Sequence, residues 1–198
     1  FFFVIKGSTF FSFFLGTFFL ATAYEWLKMC KNKSIIFIGI LFLLMSFYTA
    51  YLLRNDFGLN AFLFVIIICI FTDIGGYIFG KTFKGPKLIK ISPNKTYSGM
   101  LGSFILSMIA ILVFSEYQNY ISLVDHLTEI KKNNLFYIII ILLISAISQI
   151  GDLIISYFKR LAKVKDTGKF IPGHGGLLDR IDGIIFAIPL SYILFTFL

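Results

Sequence analysis

Apolar residues in this chain come in long unbroken runs, with little of the alternation or narrow striping of a soluble fold. Six runs, at about 8–27, 34–53, 57–80, 99–117, 135–158 and 181–198, are separated only by short polar stretches. A hydrocarbon core about 30 Å thick takes about 20 mostly apolar residues per helix. Lipid offers the backbone no hydrogen-bond partner, so only helices and closed barrels cross it, and these runs are too long and continuous for barrel strands. The pattern predicts an all-α integral membrane protein, a polytopic bundle of about six transmembrane helices. At 58% hydrophobic residues, the composition exceeds the roughly 45–50% of a soluble domain and leads to the same reading.

Charge adds an orientation. Only 14% of the residues are charged, yet the net charge is +8, and no polar domain exists over which a soluble nucleic-acid binder would spread it. Lys28, Lys31 and Lys33 follow the first run, Lys81, Lys84, Lys87, Lys90 and Lys95 follow the third, and Lys159, Arg160, Lys163, Lys165, Lys169 and Arg180 follow the fifth. Lys6, Arg54, Lys131 and Lys132 are left for the other side. The positive-inside rule makes the loops around 28–33, 80–98 and 158–180 cytoplasmic, in a multi-pass protein expected in a bacterial inner membrane. Cys30 and Cys69 have no metal-ligand spacing and are read as packing residues. The chain begins at Phe, and its first run is too long and lacks the small-residue cleavage site of a signal peptide, so a preceding segment is expected.

Carboxylates inside membrane helices are costly, about 2.5–3.5 kcal/mol at the centre, and each asks for a reason. Glu25, flanked by Tyr24 and Trp26 and close to Lys28, reads as an interfacial residue. Asp152 belongs to a stripe, Ser145, Ser148, Gln149, Asp152, Ser156 and Lys159, spaced to share one helix face. That face must meet another helix or a polar cavity; a hydrogen-bonded seam accounts for the serines and glutamine but not for the carboxylate. Asp73, in "FTDIGGYIFGK", precedes Gly76 and Gly80. Those glycines suit close helix packing, and the carboxylate suits a wall of the same cavity; the sequence leaves both open.

The polar stretches carry the remaining chemistry. "KTFKGPKLIKISPNKTYSG" combines five lysines with Ser92, Thr96 and Ser98, which suits phosphate oxygens as well as anionic lipid. The segment Lys165–Gly183, "KDTGKFIPGHGGLLDRIDG", holds three carboxylates, three Lys/Arg, His174 and five glycines. Asp179 and Asp182 are three residues apart at a helix start. Gly175 and Gly176 in the turn before them let backbone amides approach an anion. Carboxylates beside cations and a glycine turn suit a hard cation with a polyphosphate, since magnesium takes one or two carboxylates and completes its shell with substrate phosphates.

The stretch "SYFKRLAKVKDTGKFIPGHGGLLDRID", with Ser156, Lys159, Arg160, Lys165, Asp166, Pro172, His174, Gly175, Gly176, Asp179, Arg180 and Asp182, resembles the full signature of the phosphatidate cytidylyltransferase (CDP-diacylglycerol synthase) family. "TDIGGYIFGK" and "ISPNKTYSG" resemble its two other polar stretches, so the likeness runs over roughly 70–198. The chain departs from the family at Ser98, where an acidic residue is common, and in having fewer N-terminal helices. The expected organisation is a set of N-terminal helices over 1–80 and a C-terminal part, 81–198, that carries the catalytic signature.

The resemblance implies a magnesium-dependent transfer of CMP from CTP to phosphatidic acid in phospholipid biosynthesis, at a polar cavity on the cytoplasmic side, with a second cation and a homodimer as further expectations. Asp152 and Asp179 would hold magnesium, with Asp182 as a further ligand. Lys159, Arg160, Lys165 and Arg180 would bind the triphosphate and the lipid head group, Ser156 would hydrogen-bond to substrate, and Asp166 is carried over with the catalytic set. Asp73, Ser92, Lys95 and Thr96, with Gly175 and Gly176, would complete the substrate site. His174 either donates to the leaving pyrophosphate or braces the glycine turn. Two rivals stand beside this reading. A CTP-dependent polyprenol or lipid kinase would give lipid phosphate and CDP, and would need a base to deprotonate its alcohol. A transporter would place its carboxylates near the midplane and often show repeat symmetry.

Overall fold

The structure is a computed structural model of the chain and describes residues 8–89, 92–121, 134–168, 170 and 175–197. It is helical apart from one small hairpin. Helix α1 covers Ser8–Met29, α2 Lys33–Phe83, α3 Tyr97–Ile121, α4 Asn134–Leu161, α5 Leu178–Ile181 and α6 Ile184–Thr196, with strands β1, Lys87–Ile89, and β2, Ser92–Thr96, between α2 and α3. Four of the described helices, α1 to α4, are long and apolar enough to cross a membrane.

The runs predicted at 34–53 and 57–80 form the two arms of α2, helices that meet at a kink at Gly58. A straight helix of 51 residues would reach about 76 Å, far more than a bilayer needs. Gly58 has φ 83° and ψ 176°, a left-handed conformation open to glycine and costly elsewhere. Phe47 and Ile66 would stand about 28 Å apart in a straight helix, yet both line one apolar cavity of about 260 Å³. The helix therefore folds back at Gly58 into two arms. The run at 181–198 gives α5 and α6; α6 has 13 residues, about 20 Å of helix, and is shorter than the hydrocarbon core.

The basic stretch after α2, read as a loop, contains the hairpin. Lys87 pairs with Thr96 and Ile89 with Ser92 in antiparallel register, and the Tyr97 amide donates to the Pro86 carbonyl at 3.2 Å. The sequence signal was masked by prolines and lysines that also suit an irregular loop. Ser98 hydrogen-bonds to the Lys84 carbonyl and shares a 3.0 Å contact with Thr96. Where the resemblance led one to expect an acidic side chain, this hydroxyl ties the hairpin to the end of α2.

Packing explains the rest of the arrangement. A core of Phe11, Leu53, Phe64, Val65, Ile68, Ile111, Ile140, Ile141 and Ile144 joins α1 to α4 and continues into α6. A second cluster, Trp26, Met29, Leu43, Ile155, Leu178 and Ile185, lies under the catalytic-signature segment. The second arm of α2 meets α3 backbone to backbone: a Cβ on Gly75 would lie 2.5 Å from the Gly102 carbonyl oxygen, and one on Gly99 2.7 Å from that of Gly76. Small residues allow such approach where the hydrophobic effect cannot drive helices together. Gly75→Ala should therefore lower stability by about 1–3 kcal/mol, as overpacking does, measurable as a reduced unfolding midpoint in micelles.

The bundle has two chemically different ends. At one, Glu25 of α1 meets Thr167 and Leu177, and Lys95 of the hairpin meets Asp152 of α4. At the other, the Tyr192 hydroxyl donates to Asp56 at 3.0 Å, and Arg54 stacks on Phe11 at 5.0 Å. The described parts of the three basic stretches thus share one end, as a single-sided loop set requires.

Candidate functional site

Between the second arm of α2, the hairpin, α3 and α4 lies a cavity of about 280 Å³. Its polar wall is Thr72, Asp73, Ser92, Lys95, Thr96, Ser103, Gln149 and Asp152. The stripe predicted on α4 does face inward. Ser145 exchanges a 2.8 Å hydrogen bond with Thr72, the seam expected of such serines, while Gln149 and Asp152 look into the cavity. Ser103 of α3 donates to the Thr72 carbonyl at 2.7 Å, so three helices are fixed around one another at this depth. Asp73 lines the cavity, and both glycines read as packing residues lie close to neighbours: a Cβ on Gly76 would be 2.9 Å from Ser103 Oγ, and one on Gly80 3.1 Å from Thr96 Oγ1.

Asp152 is the centre of the polar contacts. Its Oδ2 accepts from Lys95 Nζ at 2.5 Å, and its Oδ1 accepts from Ser156 at 3.3 Å. Lys95 also reaches the Gln149 carbonyl at 3.4 Å. The pair is 28% and 27% exposed in its side chains, open enough for a ligand to reach. Asp182 is buried and lies beside Asp152, within the electrostatic reach of Asp73 and Lys159. Glycines set that approach: a Cβ on Gly151 would meet the Asp182 carbonyl at 2.9 Å, and one on Gly183 would meet the Ser148 hydroxyl at 2.4 Å. The amide nitrogen of Gln149 is buried and has no partner among the described residues, a donor left over in a cavity of acceptors and cations.

Asp179 is placed differently from Asp152 and Asp182. Of the three, only Asp152 lines the cavity; Asp182 sits behind it, and Asp179 belongs to a separate cluster with Lys159. Its Oδ1 accepts from Lys159 at 2.8 Å, and its Oδ2 accepts from the amides of Thr167 and Gly176 at 2.8 and 3.0 Å. Burial alone raises a carboxyl group, but the Lys159 bond and the two amides outweigh it and hold Asp179 below the usual carboxylate value. Gly175 takes φ 86° beside it, where a Cβ would come within 3.1 Å of Asp179 Oδ2 and 3.5 Å of Asp166. Arg160, Lys165, Asp166 and Arg180 are exposed around this cluster, as groups that meet a soluble anion should be. His174 and Pro172 lie outside the described residues.

Sequence reasoning misjudged one residue here. Glu25 is 3% exposed and is no interfacial side chain. It accepts from Leu177 N at 2.9 Å, Leu178 N at 2.8 Å and Thr167 Oγ1 at 3.1 Å. A carboxylate in an apolar run was the available signal; its partners, more than 140 positions away, were not visible.

The donor set fits a hard divalent cation. Asp73, Asp152 and Asp182 bring oxygen ligands together, although no group of three or more His, Cys, Asp or Glu among the described residues is arranged to hold an ion by itself. Magnesium bound through one or two carboxylates and substrate phosphates needs no such group.

Fold and site together define a helical protein of membrane-spanning type, with a charged cavity of carboxylates, a lysine and hydroxyls at one end of the bundle. The chain belongs to the cytidylyltransferase family, whose pattern matches residues 2–198. It is 38% identical over 162 residues to the phosphatidate cytidylyltransferases of Staphylococcus haemolyticus and Staphylococcus aureus. It is 39% identical over the same length to that of Staphylococcus saprophyticus. Each alignment covers 81% of this chain and 56% of the relative, so the chain spans little more than half the length of the proteins it matches.

Proposed function

We propose that the protein transfers CMP from CTP to phosphatidic acid, giving CDP-diacylglycerol and pyrophosphate. The observation that carries this reading is the Asp152–Lys95 pair, with Asp73 and Asp182 beside it, in a cavity of a chain from the cytidylyltransferase family. A non-bridging oxygen of the phosphatidate phosphate attacks the α-phosphorus of CTP. The bond from that phosphorus to the α,β-bridging oxygen breaks, and pyrophosphate leaves. The nucleophile is already an anion, so no base is required, and the protein's task is positioning and charge neutralisation. Lys159, Arg160, Lys165 and Arg180 hold the triphosphate and the lipid phosphate. Lys95, Thr96 and Ser92 complete the cavity wall, Ser156 steadies Asp152, and Asp166 with Gly175 and Gly176 shapes the turn. Asp152 and Asp182, with Asp73 beside them, would hold magnesium, and a second cation if one is used, while Asp179 would join them only by exchanging its Lys159 bond for the metal; bound there, the metal offsets phosphate charge.

The cavity faces the cytoplasm in this proposal. The described basic residues around 28–33, 81–95 and 159–180 gather at the cavity's end, as the positive-inside rule asks. The two arms of α2 and the short α6 then make six passes in all, and the 81–198 part carries the reaction while 1–80 supports it. CTP enters from water and phosphatidic acid from the bilayer.

Product analysis tests the reaction class. Purified protein in lipid micelles with CTP, magnesium and phosphatidic acid should release one pyrophosphate per CDP-lipid formed. Lipid phosphate and CDP would instead identify a kinase.

A further inference from the structure

We infer that Glu25 is a positioning residue for the proposed reaction, a latch by which α1 fixes the catalytic-signature segment around Asp179. The inference rests on the proposed function for its catalytic consequence and on geometry alone for the latch.

The carboxylate of Glu25 is an acceptor for three donors on that segment, Thr167 Oγ1 and the amides of Leu177 and Leu178. The two amides bond to different oxygens, Oε1 and Oε2, so the side chain spans the entry to α5 as a fork. Two glycines make room for it. A Cβ on Gly168 would lie 2.5 Å from Glu25 Oε1, and one on Gly176 would lie 2.6 Å from Oε2. Next to it in α1, Trp26 packs edge-on against Phe158 of α4 at 5.1 Å, and its indole nitrogen donates to the Ile35 carbonyl at 3.4 Å.

The segment that Glu25 grips is the one that positions Asp179. Thr167 donates its hydroxyl to Glu25 and its amide to Asp179 Oδ2. Gly176 donates to that same Oδ2, one residue before the Glu25-bound amide of Leu177. Thr167 and the Gly176–Leu177 pair are thus each shared between Glu25 and Asp179, and Lys159 is held in place by Asp179. Glu25 is not among the residues that line the cavity, and it acts through its neighbours. A buried carboxylate on a membrane helix is costly, and a purely apolar contact here would have left the Leu177 and Leu178 amides without these acceptors.

Glu25→Gln tests this, because glutamine keeps the size but offers one acceptor oxygen and turns an NH2 toward a donor. In hydrogen–deuterium exchange on the micellar protein, the Leu177 and Leu178 amides should exchange about 10-fold faster or more, as the loss of a charge-assisted bond implies. The α4 amides around Ile140–Ile155 should be unchanged. In the CMP-transfer assay kcat should fall about 10–100-fold, the scale of a misplaced group, with the magnesium concentration for half-maximal rate raised and KM for CTP little changed. Ser46→Ala, which removes a buried 2.7 Å bond to the Ile185 carbonyl, should lower the unfolding midpoint and keep kcat. Unchanged exchange at Leu177 and Leu178 would overturn the latch. Faster exchange with unchanged kcat and magnesium requirement would overturn its role in positioning, as would an equal loss of kcat in Ser46→Ala. If the unmodified protein transfers no CMP, the proposed function falls, and the exchange result still decides the latch.

Discussion

Asp152→Asn should leave a folded protein that inserts normally and transfers CMP about 1,000-fold more slowly, the upper range for loss of one preorganised electrostatic group. Asparagine matches aspartate in shape, and Ser156 can still donate to its oxygen, so the α4 face keeps its packing. What disappears is the charge. Lys95 loses its 2.5 Å counterion, Asp182 loses the neighbour that shares its electrostatic field, and any cation in the cavity loses an oxygen ligand. The rate should fall at saturating CTP, since charge neutralisation matters most as the α-phosphorus is attacked. A near-normal rate in the purified variant would remove Asp152 from the site.

Asp179→Asn is expected to cost both activity and stability, and the double loss separates it from Asp152. Both Asp179 oxygens are occupied, one by Lys159 and the other by the Thr167 and Gly176 amides. Asparagine can satisfy one set and must turn its NH2 toward the other. Leaving a buried donor without a partner costs about 1–3 kcal/mol, and the side chains of this pair are only 13% and 11% exposed, so solvent cannot fully replace the lost bond. The rate should drop about 100-fold, as for a displaced catalytic group. Thermal unfolding and turnover of the same preparation check both halves; an unchanged midpoint would mean that the cluster bears no load in the fold.

Runs of apolar residues were enough to read a helical membrane protein, because lipid leaves the backbone no alternative. The α4 stripe was readable for the same reason that any helix face is, and Ser145, Gln149 and Asp152 all point inward as its spacing requires. The break within α2 was legible as the polar interruption between the runs at 34–53 and 57–80, and Gly58 marks it; that Phe47 and Ile66 then line one cavity could not be read from the sequence. The hairpin at 87–96 was hidden because its prolines and lysines are equally at home in a loop. Residue types singled out Asp152, Lys159, Asp179 and Asp182 as candidates, but long-range pairing decided their company. Asp182 sits beside Asp152 because Gly151 and Gly183 let two elements close in, and Asp179 sits with Lys159 and two amides. Glu25 shows the limit most clearly, since a neighbouring Trp and Lys made an interfacial role the natural reading of its local sequence.

The most direct test follows the α-phosphate. Protein in micelles with phosphatidic acid, magnesium and CTP labelled at the α-phosphorus should move label into the lipid fraction, and EDTA should stop it. Under the same conditions Asp152→Asn should leave the label in water. Label that stays with CDP while lipid phosphate accumulates, or equal incorporation by the Asp152 variant, would contradict the account of this cavity as a site of cytidylyl transfer.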